Sequence, residues 1–441
     1  MDARANIFVE TSVPAKTQWL FEQAHFNELF EKGDQVAIKV HMGEWFNTSY
    51  LRPNIVRAMV DKVKEHGGRP FVTDTTTLLI MPFIGRTTAN DYLQTAAANG
   101  FTGSSMGCPV VIADGVAGLD DVHVDVPDGI LLKEAYVASG IANADAVIVL
   151  SHFKGHDVGV YGGAIKNVGV GCASKRGKMA VHLFAHPKFG IKNWPFVPEA
   201  CKASIISDDV RGVIENCCPQ GALHVTEEGL VYEKEKCIGC GFTHVISTLE
   251  QGAFSIPDEW RKLCLISMAD SACGVMKIVG RQRMGFINVA TDITPFCDCA
   301  PSTDLPIMPD LGIFASKSIT AVDLACLDMS MEREGIHGTM AEEVGVLKKG
   351  TEKFTMVHPA KGSQWTQVNA AAQLGLGSKD YRVIKIEPGP REKFCHPNLT
   401  YPDKTTGSRF RDKFYRTNPI PSGGFKWRDQ PRISLEELST R

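Results

Sequence analysis
VAIKVH (36–41), YLRPNIVRAMVDKVKEHGG (50–68) and RPFVTDTT (69–76) follow one another near the start of the chain, and their order decides the fold. VAIKVH is short and rich in β-branched residues, the mark of a buried strand. In the second stretch Ile55, Met59 and Val63 recur every four residues, and Val56 and Val60 widen that face, as in an amphipathic helix. Pro53 suits the first helical turn and Gly67-Gly68 the stop. RPFVTDTT then opens another strand. Strand, helix, strand implies a parallel sheet, with functional groups at the carboxyl ends of its strands. His41, Glu44 and Asp74 stand at such ends. The rhythm returns with DAVIVLS (145–151), GFINVAT (285–291) and LGIFAS (311–316), and AVDLACLDMS (321–330) reads as helix. The expected fold class is α/β, a parallel-sheet, Rossmann-like body in two segments.

Residues 196–280 break that rhythm and hold seven of the 13 cysteines: 201, 217, 218, 237, 240, 264 and 273. We read them as a small inserted α+β domain of ferredoxin-like type. The chain then divides into a first α/β segment (1–195), the cysteine insertion (196–280), a second α/β segment (281–388) and a basic Pro/Gly-rich tail (389–441).

The net charge of -3 over 441 residues gives no reason to expect nucleic acid or an anionic membrane as partner. No apolar run is long enough to cross a bilayer. MDARANIFVE lacks a basic-then-apolar signal pattern, so a cytoplasmic location is expected. In a reducing compartment, many short-spaced cysteines favour metal ligands over disulfides.

Two fragments of the insertion carry chemistry. Cys218-Pro219-Gln220-Gly221-Ala222-Leu223 has the form of the end of a bacterial ferredoxin motif, and Cys237-Ile238-Gly239-Cys240-Gly241 that of a beginning. GALHVTEEGLVYEKEK (221–236) between them reads as a hairpin. A cubane needs converging thiolates, with glycines that let backbone N–H groups approach the sulfurs. The third and fourth cysteines of a full motif would fall where Thr243 and Ser247 stand, so a second complete cluster is excluded. One 4Fe-4S cluster on Cys218, Cys237 and Cys240 is the expectation. Its fourth ligand would be Cys217, Cys201, an oxygen such as that of Thr243, or an exogenous group. Spacing alone also admits zinc, or a relic that binds nothing.

SHFKGHDVGVYGGAIKNVGVGCASKRGKMAVHLFAH (151–186) follows a strand and crowds Gly, His and Lys together. It is not a nucleotide loop: Gly177-Lys178 is followed by Met179. Its glycines, Gly162 and Gly163 among them, suit backbone lying close to a ligand or a tightly turned loop. Lys166 is able to bind an anion, or to attack a carbonyl if burial lowers its pKa. His156, His182 and His186 are able to ligate metal or move protons, and His182 and His186 would share a face if their segment is helical. A lone His or Lys is more often a packing or surface residue, but glycine and polar residues make poor core. In DITPFCDC (292–299), Cys297 and Cys299 point the same way if extended. With Cys172 they would form a second metal site, although free cysteines often merely pack.

These residues resemble a family. KGHDVGVYGGAIKN (154–167) resembles the Lys-x-Lys-Thr-His…Ala-Ile-Lys-Asn motif of domain-of-unknown-function family 362, with His152 in place of the first lysine. VAIKVHMGE, RPNIVRAMVDKVKEHGGRPFVTDT, DITPFCDC, PDLGIFASKSITAVDLA and AAQLGLGSKDYRVIKIE are similar to other parts of that family, over roughly 35–195 and 280–387. The resemblance implies an α/β body, often with a ferredoxin module. His156, Lys166 and His182 also reproduce a spacing of the nickel-pincer lactate racemase family, with Tyr161-Gly162-Gly163 beside them. That likeness implies a lysine-tethered nickel cofactor at Lys166, in a pocket with Gly162, Gly163 and Asn167, and histidines as metal ligand and acid/base. The arginine motif of that family is not visible in IKVHMGEWF (38–46).

Three functions compete. The first is an oxidoreductase-like enzyme whose cluster supplies electrons and whose His156–Lys166–His182 pocket takes a small anionic substrate. The second is a non-enzymatic electron carrier or metal-cluster scaffold, and the third a racemase-like enzyme with a tethered nickel cofactor. A redox partner protein and a homo-oligomer are compatible with each.

Overall fold
The computed structural model describes residues 12–78, 84–202, 206, 208–241, 252–359 and 362–386. Thr243, Ser247 and the 389–441 tail lie outside the described residues, as does the side chain of Cys217. The framework is one sheet of six strands: β1 (Gln35–Lys39), β2 (Arg69–Asp74), β3 (Val110–Ile112), β6 (Ala146–His152), β11 (Met284–Ala290) and β12 (Gly312–Ser316). Three short hairpins lie outside it: β4 (Asp121–Asp125) with β5 (Glu134–Ala138), β7 (Lys154–His156) with β8 (Val160–Gly162), and β9 (Leu223–Val225) with β10 (Leu230–Tyr232).

The order β12-β11-β6-β1-β2-β3 places β6 and β1 at the centre of the sheet. Neighbours run parallel from β3 to β11. LGIFAS departs from the parallel expectation: β12 runs antiparallel to β11 at the sheet edge. An antiparallel edge strand on a parallel sheet is a common arrangement.

Alternation along β1 assigns its two faces. Val36, Ile38 and Val40 pack with Ile55, Met59 and Val63 of the helix Pro53–Glu65. Ala37 faces the opposite core, with Ile165, Val168, Leu265, Ala269 and Leu327. Helices therefore cover both faces, and every residue of β6 and β11 is buried. The helix Asp258–Val279 contributes Leu265, Ala269, Ala272 and Val275 to that second core, while its Trp260 and Cys264 pack with the cysteine segment before it. Cys201, Ile214, Leu223, Leu230 and Phe254 of the cysteine segment form an apolar cluster together with Leu183, Phe184, Ile191 and Trp194 of the first α/β segment. None of the described helices is long and apolar enough to cross a membrane.

Candidate functional site
Three parallel strands deliver charged side chains to one edge of the sheet. β1 ends at Lys39, β2 at Asp74 and β6 at His152. Lys39 Nζ pairs with Asp74 Oδ1 at 2.8 Å and donates to Asn167 Oδ1 at 2.7 Å, with Lys39 wholly buried. Asn167 in turn donates to Leu150 O and Ser151 Oγ, so its amide ties the helix Ala164–Gly169 to the end of β6. Arg86 Nε donates to Glu44 Oε2 at 2.8 Å, both buried.

Asp298 is held from two sides. His152 Nδ1 lies 2.7 Å from its Oδ1, and Lys154 Nζ 3.4 Å from its Oδ2. The other His152 nitrogen faces Thr291 O at 2.9 Å. Both ring nitrogens of His152 therefore face oxygen atoms. Burial opposes ionisation of Asp298, but His152, Lys154 and Lys166 outweigh it and hold the carboxyl at about 2.

Lys166 sits on the short helix Ala164–Gly169, whose first two N–H groups donate to buried Asp323 at 2.7 and 2.9 Å. Burial, reinforced by the charge of Lys154, pulls the Lys166 ammonium down to about 7. Its Nζ makes no hydrogen bond or ion pair with a described residue. Lys166 acts electrostatically on His41, His156 and His182, whose protonation is depressed chiefly by burial.

The histidines present different atoms. His156 Nδ1 accepts from the N–H groups of Val158 (3.0 Å) and Gly159 (2.8 Å), so its neutral ring carries the proton on Nε2. His41 Nδ1 accepts from Gly43 N–H at 3.0 Å, and its buried Nε2 meets no partner among the described residues. In His182, Nδ1 faces Lys178 O at 2.7 Å and must donate, which leaves a lone pair on Nε2. His182 is the residue that ends the helix Lys175–Val181, and Leu183 has a φ of 55°. His182 and His186 therefore share no helix face, contrary to the expectation; His186 Nδ1 accepts from Lys188 and Phe189 N–H groups in a local turn.

The sulfur cluster also differs from the expectation. His156, Cys297 and Cys299 place ligand atoms within 4.8 Å of one another, but the two sulfurs are joined as a disulfide, contrary to the expectation of metal ligands over disulfides, and only the reduced pair would offer thiolates to a metal ion. Cys172 is not among them. It is buried in the sheet core, its thiol 3.8 Å from Asn167 O, and burial raises its pKa to about 11. The approach of His156 to Cys299 depends on Gly155, whose N–H donates to Thr294 O at 2.8 Å. A Cβ there would stand 2.0 Å from Pro295 O. At Gly163, a Cβ would stand 2.5 Å from Asp323 Oδ1, so glycine there lets Asp323 approach the backbone.

In the cysteine segment, Cys218, Cys237 and Cys240 line one hollow with Leu223, Tyr232 and Ile238. Leu223 N–H points at Cys218 Sγ and Gly239 N–H at Cys237 Sγ, each at 3.4 Å. Cys201 is buried in the apolar cluster beside them.

Sequence reading missed Lys39, Arg86, Lys154, Asp298 and Asp323 as site residues. Lys39 carried a signal: a lysine inside an otherwise apolar strand must find a buried partner. Lys154, Asp298 and Asp323 lie inside stretches quoted for the family resemblance, but no role was read for them, and Arg86 shows nothing local.

Among solved structures, the chain is similar to the lactate racemase apoprotein from Thermoanaerobacterium thermosaccharolyticum, at 12% identity and a TM-score of 0.32, covering 68% of this chain. The chain spans about half the length of that protein, 52% of it. No curated protein matches. The profile of the family described as domain of unknown function (DUF362) matches residues 36–328, well over half of the chain, and the protein belongs to that family.

Proposed function
We propose that the protein is an iron–sulfur enzyme that binds a small anionic substrate at Lys166, between His156 and His182. The observation that carries this reading is the imbalance of the site. Its carboxylates are already engaged: Asp74 by Lys39, Glu44 by Arg86, and Asp298 by His152 and Lys154. Lys166 Nζ makes no hydrogen bond with a described residue, and His41 adds an unpartnered N–H donor within its electrostatic reach. Buried donors without acceptors favour an anion, since an unmet donor costs about 1–3 kcal/mol. His182, with its Nε2 lone pair, suits the base, and His156, with its Nε2–H, suits the acid.

The thiols of the cysteine segment fit a cluster better than one zinc ion. Cys218, Cys237 and Cys240 share a hollow, yet their sulfurs do not all come within 4.8 Å of one another. Tetrahedral zinc with Zn–S bonds of about 2.3 Å needs sulfurs roughly 3.8 Å apart. Two backbone N–H groups directed at sulfur are what a cluster thiolate uses. When bound, the cluster would supply one-electron transfer.

The test of substrate class is thermal stability with formate, oxalate, lactate and phosphate, on wild type and Lys166→Met. An anion at about 100 times its Kd stabilises by about 2.7 kcal/mol, which is readily seen in wild type and should vanish in the variant. Equal responses in both would refute the site. A second reading, a racemase-like enzyme with a nickel cofactor tethered to Lys166, is favoured by the depressed amine and the free His182 lone pair. Intact mass of the native protein decides it, through added mass lost in Lys166→Met.

A further inference from the structure
We propose that Cys297 and Cys299 form a redox-active pair that exchanges electrons with small thiols and disulfides, with His156 hydrogen-bonded to the Cys299 sulfur. The inference shares His156 with the site proposed at Lys166, but it requires no particular substrate there. The two sulfurs are joined in the structure, across Cα atoms 5.3 Å apart in Cys297-Asp298-Cys299. Cys297 is buried at 3% exposure, whereas Cys299 is partly exposed, so an incoming thiolate reaches Cys299 first.

The tautomer of His156 separates this role from metal binding. Its Nε2 lies 3.8 Å from Cys299 Sγ. A metal ion there would need a lone pair on Nε2 and hence the proton on Nδ1. Two backbone N–H groups already point at Nδ1. The ring is instead set to present Nε2–H to the sulfur, which stabilises a thiolate. Cys297 has its own donor, the Cys299 N–H at 3.2 Å from its Sγ. The backbone between them is anchored through Asp298 and through Arg86, which donates to Cys299 O at 3.2 Å. The S–S bond can open while the segment stays in place.

The exchange balances as follows. A thiolate attacks Cys299 Sγ, the S–S bond breaks, and Cys297 leaves as a thiolate. A second thiol attacks the mixed disulfide on its outer sulfur and releases Cys299, whose thiolate meets His156 Nε2–H. Two small thiols become one disulfide, and the pair takes up their two electrons and two protons.

The full-length holoprotein, equilibrated anaerobically in graded mixtures of reduced and oxidised dithiothreitol, is alkylated and mapped by peptide mass. Cys297 and Cys299 should gain labels together, as one two-electron unit, separately from Cys218, Cys237 and Cys240. Cys297→Ser should trap a mixed disulfide on Cys299. His156→Gln, checked for folding by circular dichroism, should slow alkylation of Cys299 about tenfold at pH 7, the effect of one unit of thiol pKa. If both thiols stay reduced in every mixture, the proposal fails. It fails equally if the pair retains a metal ion that is lost in both cysteine variants and that protects the thiols from oxidation.

Discussion
A lysine amine near neutrality at pH 7 is a nucleophile as well as a cation, and Lys166 is placed to be either. Its folded value of about 7 lies below the ordinary 10.5, so above pH 7 the folded protein binds fewer protons there than the unfolded chain. Stability should therefore rise with pH from about 7 towards 10, and urea unfolding of Lys166→Met should lack that increment. Anion affinity should run the opposite way and fall as pH rises through about 7. The pair Lys39–Asp74 makes a sharper demand, because both groups are buried. Lys39→Met leaves Asp74 without its ammonium and should cost roughly 3–5 kcal/mol, while adding Asp74→Leu should recover much of that loss in urea titrations.

At the scale of elements, the helix Ala164–Gly169 is too short to place Lys166 by its own stability. Asp323, from the helix Ile319–Met331, anchors it by accepting from Ala164 and Ile165, and also from Asn288 and Tyr161. Asp323→Ala should destabilise by about 2–4 kcal/mol, the loss of charged hydrogen bonds in a buried place. It should also return Lys166 towards ordinary reactivity, read by acylation and peptide mapping at pH 7.5. A stability loss with unchanged Lys166 labelling would show that Asp323 supports the fold without positioning the lysine.

At the scale of the whole molecule, the helix Asp258–Val279 links the apolar cluster of the cysteine segment, through Trp260 and Cys264, to the α/β core, through Leu265 and Ala269. Cys237→Ser and Cys240→Ser should each lose iron, measured anaerobically with EPR, and leave the thermal transition of the body in place. Equal iron in wild type and variants would remove these residues as ligands, and global unfolding would show one cooperative core.

The sequence alone determined the α/β body, because apolar periodicity and its Pro and Gly boundaries are local properties of the chain. The helix Pro53–Glu65 and strands β1 and β2 were legible for that reason. So were the glycine, histidine and lysine run and the two cysteine fragments, where chemistry is concentrated in adjacent residues. Only the tertiary structure decided the partners. Lys39 meets Asn167 across 128 residues, and His152 meets Asp298 across 146. Nothing in local spacing separates Cys172, turned into the core, from Cys299, turned towards His156. The antiparallel direction of β12 was equally hidden, since an edge strand reads the same in either direction until its neighbour is known. Charges from distant segments pair where parallel strands end together, and that meeting is a property of the sheet.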